Sequence, residues 1–354
     1  MKFHELKIGN KTARIPIIQG GMGVGVSRSR LAGAVAGEGG VGMISSAQIG
    51  YDEPDFETDV RGCNIRAIEK HVKLAKQQAD GGLVGVNVMT ALRHYAEHVQ
   101  AAVRAGADLI VCGAGLPVDL PELVKDADTK IAPVVSTRKS ASVLLRLWDK
   151  KYKRTADLLV IEGPKAGGHL GFSPDQLQHI SAQKYDNEIR EILTEKKIYE
   201  DKYGVAIPVV AGGGIFDQSD IRHMMELGVD GVQIATRFVA TEECDASPAY
   251  KQAYIQAEEK DIVIIKSPVG MPGRAIRNDF IRRAEQGQIP VKKCLQCIKR
   301  CRPDEIPYCI TQALINAVQG NLDQGLIFCG AETGRVKELT TVAALMRELS
   351  EPFI

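Results

Sequence analysis

Eight short apolar runs, each closing in small or polar residues and followed by a stretch of helical period, constrain this chain more than any other feature. They read IPIIQG (15–20), VGMISS (41–46), LVGVNV (83–88), DLIVCG (108–113), IAPVVS (131–136), DLLVIEG (157–163), IPVVAGG (207–213) and GVQIATR (231–237). Runs without polar alternation belong to strands covered on both faces, as in parallel sheets. Between them lie amphipathic stretches such as AIEKHVKLAKQQA (67–79) and RKSASVLLRLWDKKYKR (138–154). Eight such units within about 250 residues match the count and span of a closed (β/α)8 barrel. An open doubly wound sheet shares the local pattern, but eight units fit its six-strand order poorly. The expected fold class is therefore α/β: a TIM barrel over residues 1–260, with an appended C-terminal helical, cysteine-containing segment over 261–354 packing on it as a cap or small lobe. The charged stretch 173–204 reads as one extended outer helix with a solvated face.

Composition narrows the function classes. The chain has 354 residues, 44% hydrophobic and 25% charged, with a formal net charge of +1. That balance gives no footing to a nucleic-acid or membrane-surface role. No apolar run approaches the roughly 20 residues a membrane helix needs. The start, MKFHELKIGNKTARIP, lacks the apolar core of a secretory signal. A cytoplasmic protein with no nucleic-acid or membrane partner is expected, and a homodimer is an open alternative to a monomer.

In a (β/α)8 barrel the reacting groups sit on loops leaving the C-terminal ends of the strands. That rule collects Gly20, Gly21, Met22 and Gly23 after the first run, and Asn87 at the end of the third. It adds Cys112 and Gly113, then Ser136 and Thr137, then Glu162 and, through its loop KAGGHLG, His169. The seventh and eighth runs deliver Gly212, Gly213 and Gly214, then Gln233, Ala235 and Thr236. Loops seven and eight are the usual phosphate site of such barrels, where backbone N–H groups at a helix start meet an anion. Asp217 is a candidate N-cap there, and with no basic residue in the triple-glycine loop the backbone would do the recognising. Glu162 reads as an acid that caps or pairs with Lys165. GGMGVG (20–25) superficially suggests a dinucleotide fingerprint, yet the next strand ends in Ser45 and Ser46 where a ribose-binding acid is required, so that reading is rejected.

IPIIQGGMG, GVNVM, KAGGHLG, PVVAGGGI and GVQIATRF, followed in order by SPVGMPGRAIRN, resemble the FMN-dependent nitronate monooxygenase family, formerly called 2-nitropropane dioxygenases, which includes flavin-type enoyl-ACP reductases. The resemblance implies FMN across the barrel mouth, its ring system on Gly21, Met22 and Gly23 and near Asn87 and Ser136. It puts Gly168, Gly212, Gly213, Gly214, Gln233, Ala235 and Thr236 around the cofactor, with alanine at 235 where relatives usually carry glycine. It also implies His169 over the reactive face as the catalytic group. A histidine there serves nitronate oxidation with O2, and equally NAD(P)H-dependent reduction of an enoyl thioester or a related alkene or quinone. Recognition of an acyl carrier protein would call for a basic patch, for which Arg274, Arg277, Arg282 and Arg283 are candidates, although a solvated helix face explains them too. A non-catalytic flavin or metal sensor is a third reading.

KCLQCIKRCRPDEIPYC places Cys294, Cys297, Cys301 and Cys309 at intervals suited to one metal centre, zinc or an iron–sulfur cluster. The C-x2-C-x3-C run looks like that of 2,4-dienoyl-CoA reductases, which hold a [4Fe–4S] cluster. Reduced thiols or a disulfide pair are the plain alternatives. The best-known members of the family lack this segment.

Overall fold

A turn through Gly9 (φ +61°) folds the chain's start into a hairpin of β1 (Leu6–Ile8) and β2 (Lys11–Ala13) in the computed structural model, which describes residues 3–353. Six barrel strands follow: β3 (Ile17–Gln19), β4 (Val41–Ser45), β5 (Leu83–Met89), β6 (Leu109–Gly113), β7 (Lys130–Val135) and β8 (Leu159–Glu162). After the two-residue β9 (Gly168–His169), which lies outside the barrel, β10 (Val209–Gly212) and β11 (Gly231–Ile234) complete it. Each barrel strand pairs in parallel with its neighbours, and β11 pairs back onto β3, closing the sheet. All eight expected runs are these strands.

Alternate residues explain how so short a sheet closes on a dry interior. Ile18, Val41, Met43, Leu109, Val111, Ala132, Val160 and Val210 form one buried cluster with Leu6, Ile8 and Ala13 of the hairpin. Lys11 reaches Asp108, just before β6, at 3.2 Å, so the hairpin plugs the N-terminal mouth and leaves the opposite mouth open. The other strand face packs on the helices, among them α1 (Ser29–Gly37), α2 (Val60–Gln78), α3 (Tyr95–Arg104), α4 (Leu120–Leu123) and α5 (Arg138–Tyr152). Gly42 makes one such contact: a Cβ there would fall 1.8 Å from Ala32 O of α1.

Residues 173–204 differ from the single helix expected. Ser173 caps α6 (Pro174–His179), the chain extends at Ile180, and Ser181 accepts from Lys184 N to begin α7 (Ala182–Tyr203). Two serine caps, each satisfying an N–H that a helix start leaves free, favour two starts over one continuous run. Further along, α8 (Gln218–Leu227) and α9 (Thr236–Val239) follow the last two barrel strands, and α10 (Pro248–Gln256) leads into the C-terminal part.

There β12 (Ile262–Lys266) and β13 (Pro272–Ile276) form an antiparallel hairpin, followed by α11 (Asp279–Gln286), α12 (Ile310–Gln319) and α13 (Val342–Ser350). Phe280, Ile281, Tyr308, Ile310, Ala313 and Leu326 make a small core of their own, while Val342, Leu345, Met346 and Leu349 of α13 join Leu31 and Val35 of α1. The cysteine segment lies against the loop after β5, where Arg93 N donates to Cys297 O and Lys299 N to Ala91 O, both at 3.0 Å. The hairpin extends to the barrel: β13 takes β9 as a third strand, with Gly273 opposite His169 and Arg274 opposite Gly168. Among the described residues no helix is long and apolar enough to cross a membrane.

Candidate active site

The open mouth holds a cavity of about 270 Å³ at the C-terminal ends of the barrel strands. Its floor begins at the bend after β3. Met22 N donates to Ser27 Oγ at 2.6 Å, which pins the bend, and Gly21 lies so close to Asn87 that a Cβ would come 2.5 Å from the asparagine's own. Gly23 is as tightly placed, 2.8 Å from Ser45 Oγ by the same measure. The glycines on either side of Met22 leave no room for a side chain at those two positions of the floor.

Loop 163–167, after β8, is tied down from three directions. Gly163 N donates to Gly212 O at 2.8 Å, Ala331 N donates to Lys165 O at 3.1 Å, and the Arg274 guanidinium donates to Pro164 O at 3.0 Å and also to Ala166 O. Gly213, at φ +97°, packs against this loop, and a Cβ there would sit 2.9 Å from Ala166 N. The N–H groups of Gly214 and Ile215 carry no hydrogen bond among the described residues, while Gly213 continues the register of β10 on β11 toward Gln233. Behind them Asp217 caps α8, accepting from Ser219 N at 2.9 Å and Asp220 N at 3.2 Å. Two successive free donors ahead of a capped helix are an arrangement suited to an anion. Ala235 and Thr236 line the same cavity.

Two of the titratable groups on the cavity wall, His169 and Glu162, have pKa values shifted in opposite directions. His169 stands on β9, its ring edge-on to Phe328 at 4.9 Å between centroids and its Nε2 2.7 Å from Ser267 Oγ. Burial disfavours the imidazolium and pushes its pKa down to about 4. Glu162, at the end of β8, is pushed the other way, up to about 7, because burial disfavours the carboxylate and only the Gly171 N–H offsets it. Near neutral pH the wall thus holds a neutral histidine and a carboxyl able to keep its proton.

The structure gathers Gly21, Met22, Gly23, Asn87, Gly168, His169, Gly212, Gly213, Gly214, Gln233, Ala235 and Thr236 around this one cavity. Ser136 is not on its wall; it sits behind Gly171, where a Cβ would come 2.4 Å from the Ser136 Oγ. Glu162 does not pair with Lys165, whose Nζ instead meets Glu332 at 2.9 Å. Lys165 also packs over Gly214, so a cation does stand beside the triple-glycine loop. Met271, Phe328, Cys329, Gly330, Tyr250 and Tyr254 complete the wall. They come from C-terminal segments whose local sequence carries no signal of that destination.

The candidate basic patch is engaged within the chain. Arg274 is buried under loop 163–167, Arg277 pairs with Glu285 at 2.6 Å, Arg282 pairs with Asp279 at 2.6 Å, and Arg283 donates to Asp323 O. For the cysteines, no three His, Cys, Asp or Glu side chains converge as a metal-ligand set among the described residues. Cys297 Sγ instead accepts from Thr311 Oγ1 at 3.0 Å, Cys294 is exposed, and Cys309 stands at the N-cap of α12. The zinc and iron–sulfur expectations therefore gain no support from the structure.

The family model described as nitronate monooxygenase matches residues 4–351. A (3aS,4S,5R,7aS)-5-hydroxy-7a-methyl-1-oxo-octahydro-1H-indene-4-carboxyl-CoA dehydrogenase of Mycobacterium tuberculosis is 26% identical over 77% of this chain and 66% of its own, so this chain spans just under two thirds of that relative. A probable nitronate monooxygenase of Staphylococcus aureus is 26% identical over 78% of this chain and 79% of its own. Among solved structures, FabK from Thermotoga maritima superposes with a TM-score of 0.72 at 25% identity, covering 96% of this chain and 93% of that one. A nitroalkane oxidase from Streptomyces ansochromogenes gives 0.71 at 20% identity over 96% of each chain, a likeness of fold.

Proposed function

Because the chain belongs to the nitronate monooxygenase family, we propose that it is an FMN-dependent oxidoreductase that oxidises alkyl nitronates with O2. The observation that carries this reading is the pair of unpartnered N–H groups at Gly214 and Ile215, in the wall of the cavity that also holds His169. That pair, with Thr236 beside it, fits a phosphate, and the side-chain-free floor at Gly21 and Gly23 fits a planar ring system. When bound there, FMN would supply the capacity to take up and pass on electrons. The chain's own residues would do the rest. Asn87 would offer an amide to the ring system, His169 would orient the substrate's polar group, and Glu162 would hold a proton in the same cavity.

A second reading, NAD(P)H-dependent reduction of an enoyl thioester or a related alkene or quinone, is favoured by one specific feature. Reduction of a polarised alkene requires a proton donor, and Glu162, with its pKa pushed up to about 7, is the carboxyl in the cavity wall able to be one. The similarity to FabK from Thermotoga maritima runs the same way.

Anaerobic stopped-flow on the purified yellow protein separates the two. Loss of the oxidised flavin spectrum on mixing with propyl nitronate, and not with NADH or NADPH, is the expected result. Reduction by a nicotinamide nucleotide and not by nitronate would replace the first reading with the second. Purification without any bound flavin, and failure to take up added FMN, would remove both.

A further inference from the structure

His169 and Ser267 are held by the same small sheet. His169 pairs through β9 with Gly273 of β13, and Leu170 N donates to Pro272 O at 2.9 Å. Ser267 opens the turn joining β12 to β13, its N donating to Met271 O at 3.2 Å while Gly270 N donates to Ser267 O at 3.0 Å. Neither residue can shift without disturbing the hairpin, and Phe328 packed edge-on fixes the plane of the ring. Their side chains meet at 2.7 Å, Oγ to Nε2.

The direction of that hydrogen bond follows from counting donors and acceptors. Ser267 is 2% exposed, which denies its hydroxyl proton to bulk water. Among the described residues its Oγ has two partners, the Val269 N–H at 3.4 Å and the His169 ring. The first is a donor, so the acceptor left for the hydroxyl proton is Nε2. A neutral imidazole carries one N–H, and with its Nε2 lone pair taken by Ser267 that hydrogen must sit on Nδ1. Nδ1 has no hydrogen-bond partner among the described residues and is the ring's remaining polar atom for a ligand in the cavity.

We propose that Ser267 is a positioning residue that locks His169 in the Nδ1–H tautomer, so that the histidine presents an N–H donor to the cavity and selects substrates with an acceptor oxygen, a nitro or carbonyl group. His169 then serves as a hydrogen-bond donor and not as the base that removes a substrate C–H proton. Under the nitronate reading this favours the already ionised nitronate over the neutral nitroalkane. The tautomer stands on the geometry alone; the substrate class rests on the flavin reading of the same cavity.

Long-range 1H–15N correlation on the 15N-histidine-labelled flavoprotein reads the tautomer directly, with His169 assigned by the signals lost in His169→Gln. A protonated Nδ1 and an unprotonated Nε2 are expected near pH 7, giving way to a mixture in Ser267→Ala and restored in Ser267→Thr. A protonated Nε2 in the unaltered protein would overturn the proposal, and so would a tautomer unchanged in Ser267→Ala. Neither readout needs turnover, so the tautomer is tested independently of which reaction the protein performs. With a nitronate that bleaches the unaltered protein, Ser267→Ala should slow flavin reduction by about tenfold, the worth of one hydrogen bond, with Ser267→Thr restoring it. Equal rates in all three would remove the positioning role.

Discussion

Glu162 and His169 show one physical cause with two signs. Burial penalises whichever form is charged, so the same cavity lifts the carboxyl to about 7 and lowers the imidazole to about 4. A carboxyl lifted from 4.5 keeps in the folded chain a proton that the unfolded chain has released. Its contribution to stability is therefore full below about 4.5 and is lost as pH rises through about 7. Glu162→Gln should abolish that loss: measured by thermal denaturation, the variant's melting temperature should gain on the parent's across this window and hold level above it. A difference independent of pH would mean the carboxyl does not titrate there. For His169→Ala we expect FMN to stay bound while flavin reduction slows by about 10²-fold, since the ring touches the reaction and not the phosphate site. Unchanged rates would deny the histidine its role. His169 itself is legible in the sequence, as the loop residue after the sixth strand flanked by glycines. Glu162's environment is not, because what decides it is burial by segments distant in the chain, and the obvious pairing partner, Lys165, turns outward to Glu332.

The elements divide in the same way between legible and hidden. The eight barrel strands announce themselves because each is buried on both faces and the requirement is written locally, as an unbroken apolar run. β9 is different: two residues, Gly168 and His169, count as a strand only because β13 lies beside them, and β13 is far along the chain. The break between α6 and α7 has a local signal in Ser181, masked by the continuous charge of the surrounding stretch. Arg274 shows what the hairpin adds to the site. Its planar fork takes Pro164 O and Ala166 O together and so fixes the loop that packs against Gly213. Arg274→Ala would strip both carbonyls of that donor, at about 1–3 kcal/mol for each left buried and unsatisfied. We expect a lower melting temperature together with weaker FMN retention, measured by flavin release on dilution. Arg274→Lys should recover little, since a point charge cannot serve two carbonyls with the geometry of a guanidinium. Full recovery by lysine would show that charge alone holds the loop.

At the scale of the whole molecule, three histidines tie separate joints together, each through a serine hydroxyl. His71 on α2 meets Ser29 of α1 at 2.9 Å, His98 on α3 meets Ser46 beyond β4 at 3.3 Å, and His169 meets Ser267 at 2.7 Å. Burial pushes all three pKa values from 6.5 down to about 4. Between those values the unfolded chain binds three protons that the folded chain refuses, so stability must fall as pH drops through about 6.5 toward about 4. Glu162 works in the opposite sense over an overlapping range, as does Asp245, whose carboxyl burial also raises, but three histidines outnumber them and set the net slope. The expected thermal-denaturation profile therefore declines on the acid side of neutrality. His71→Gln, remote from the cavity, should make that decline shallower by about half or more, since one of a net two protons against Glu162 alone is removed, while leaving flavin binding intact. A flat profile across the window would show that these rings accept their protons without unfolding the chain, and burial would then not be what holds them neutral.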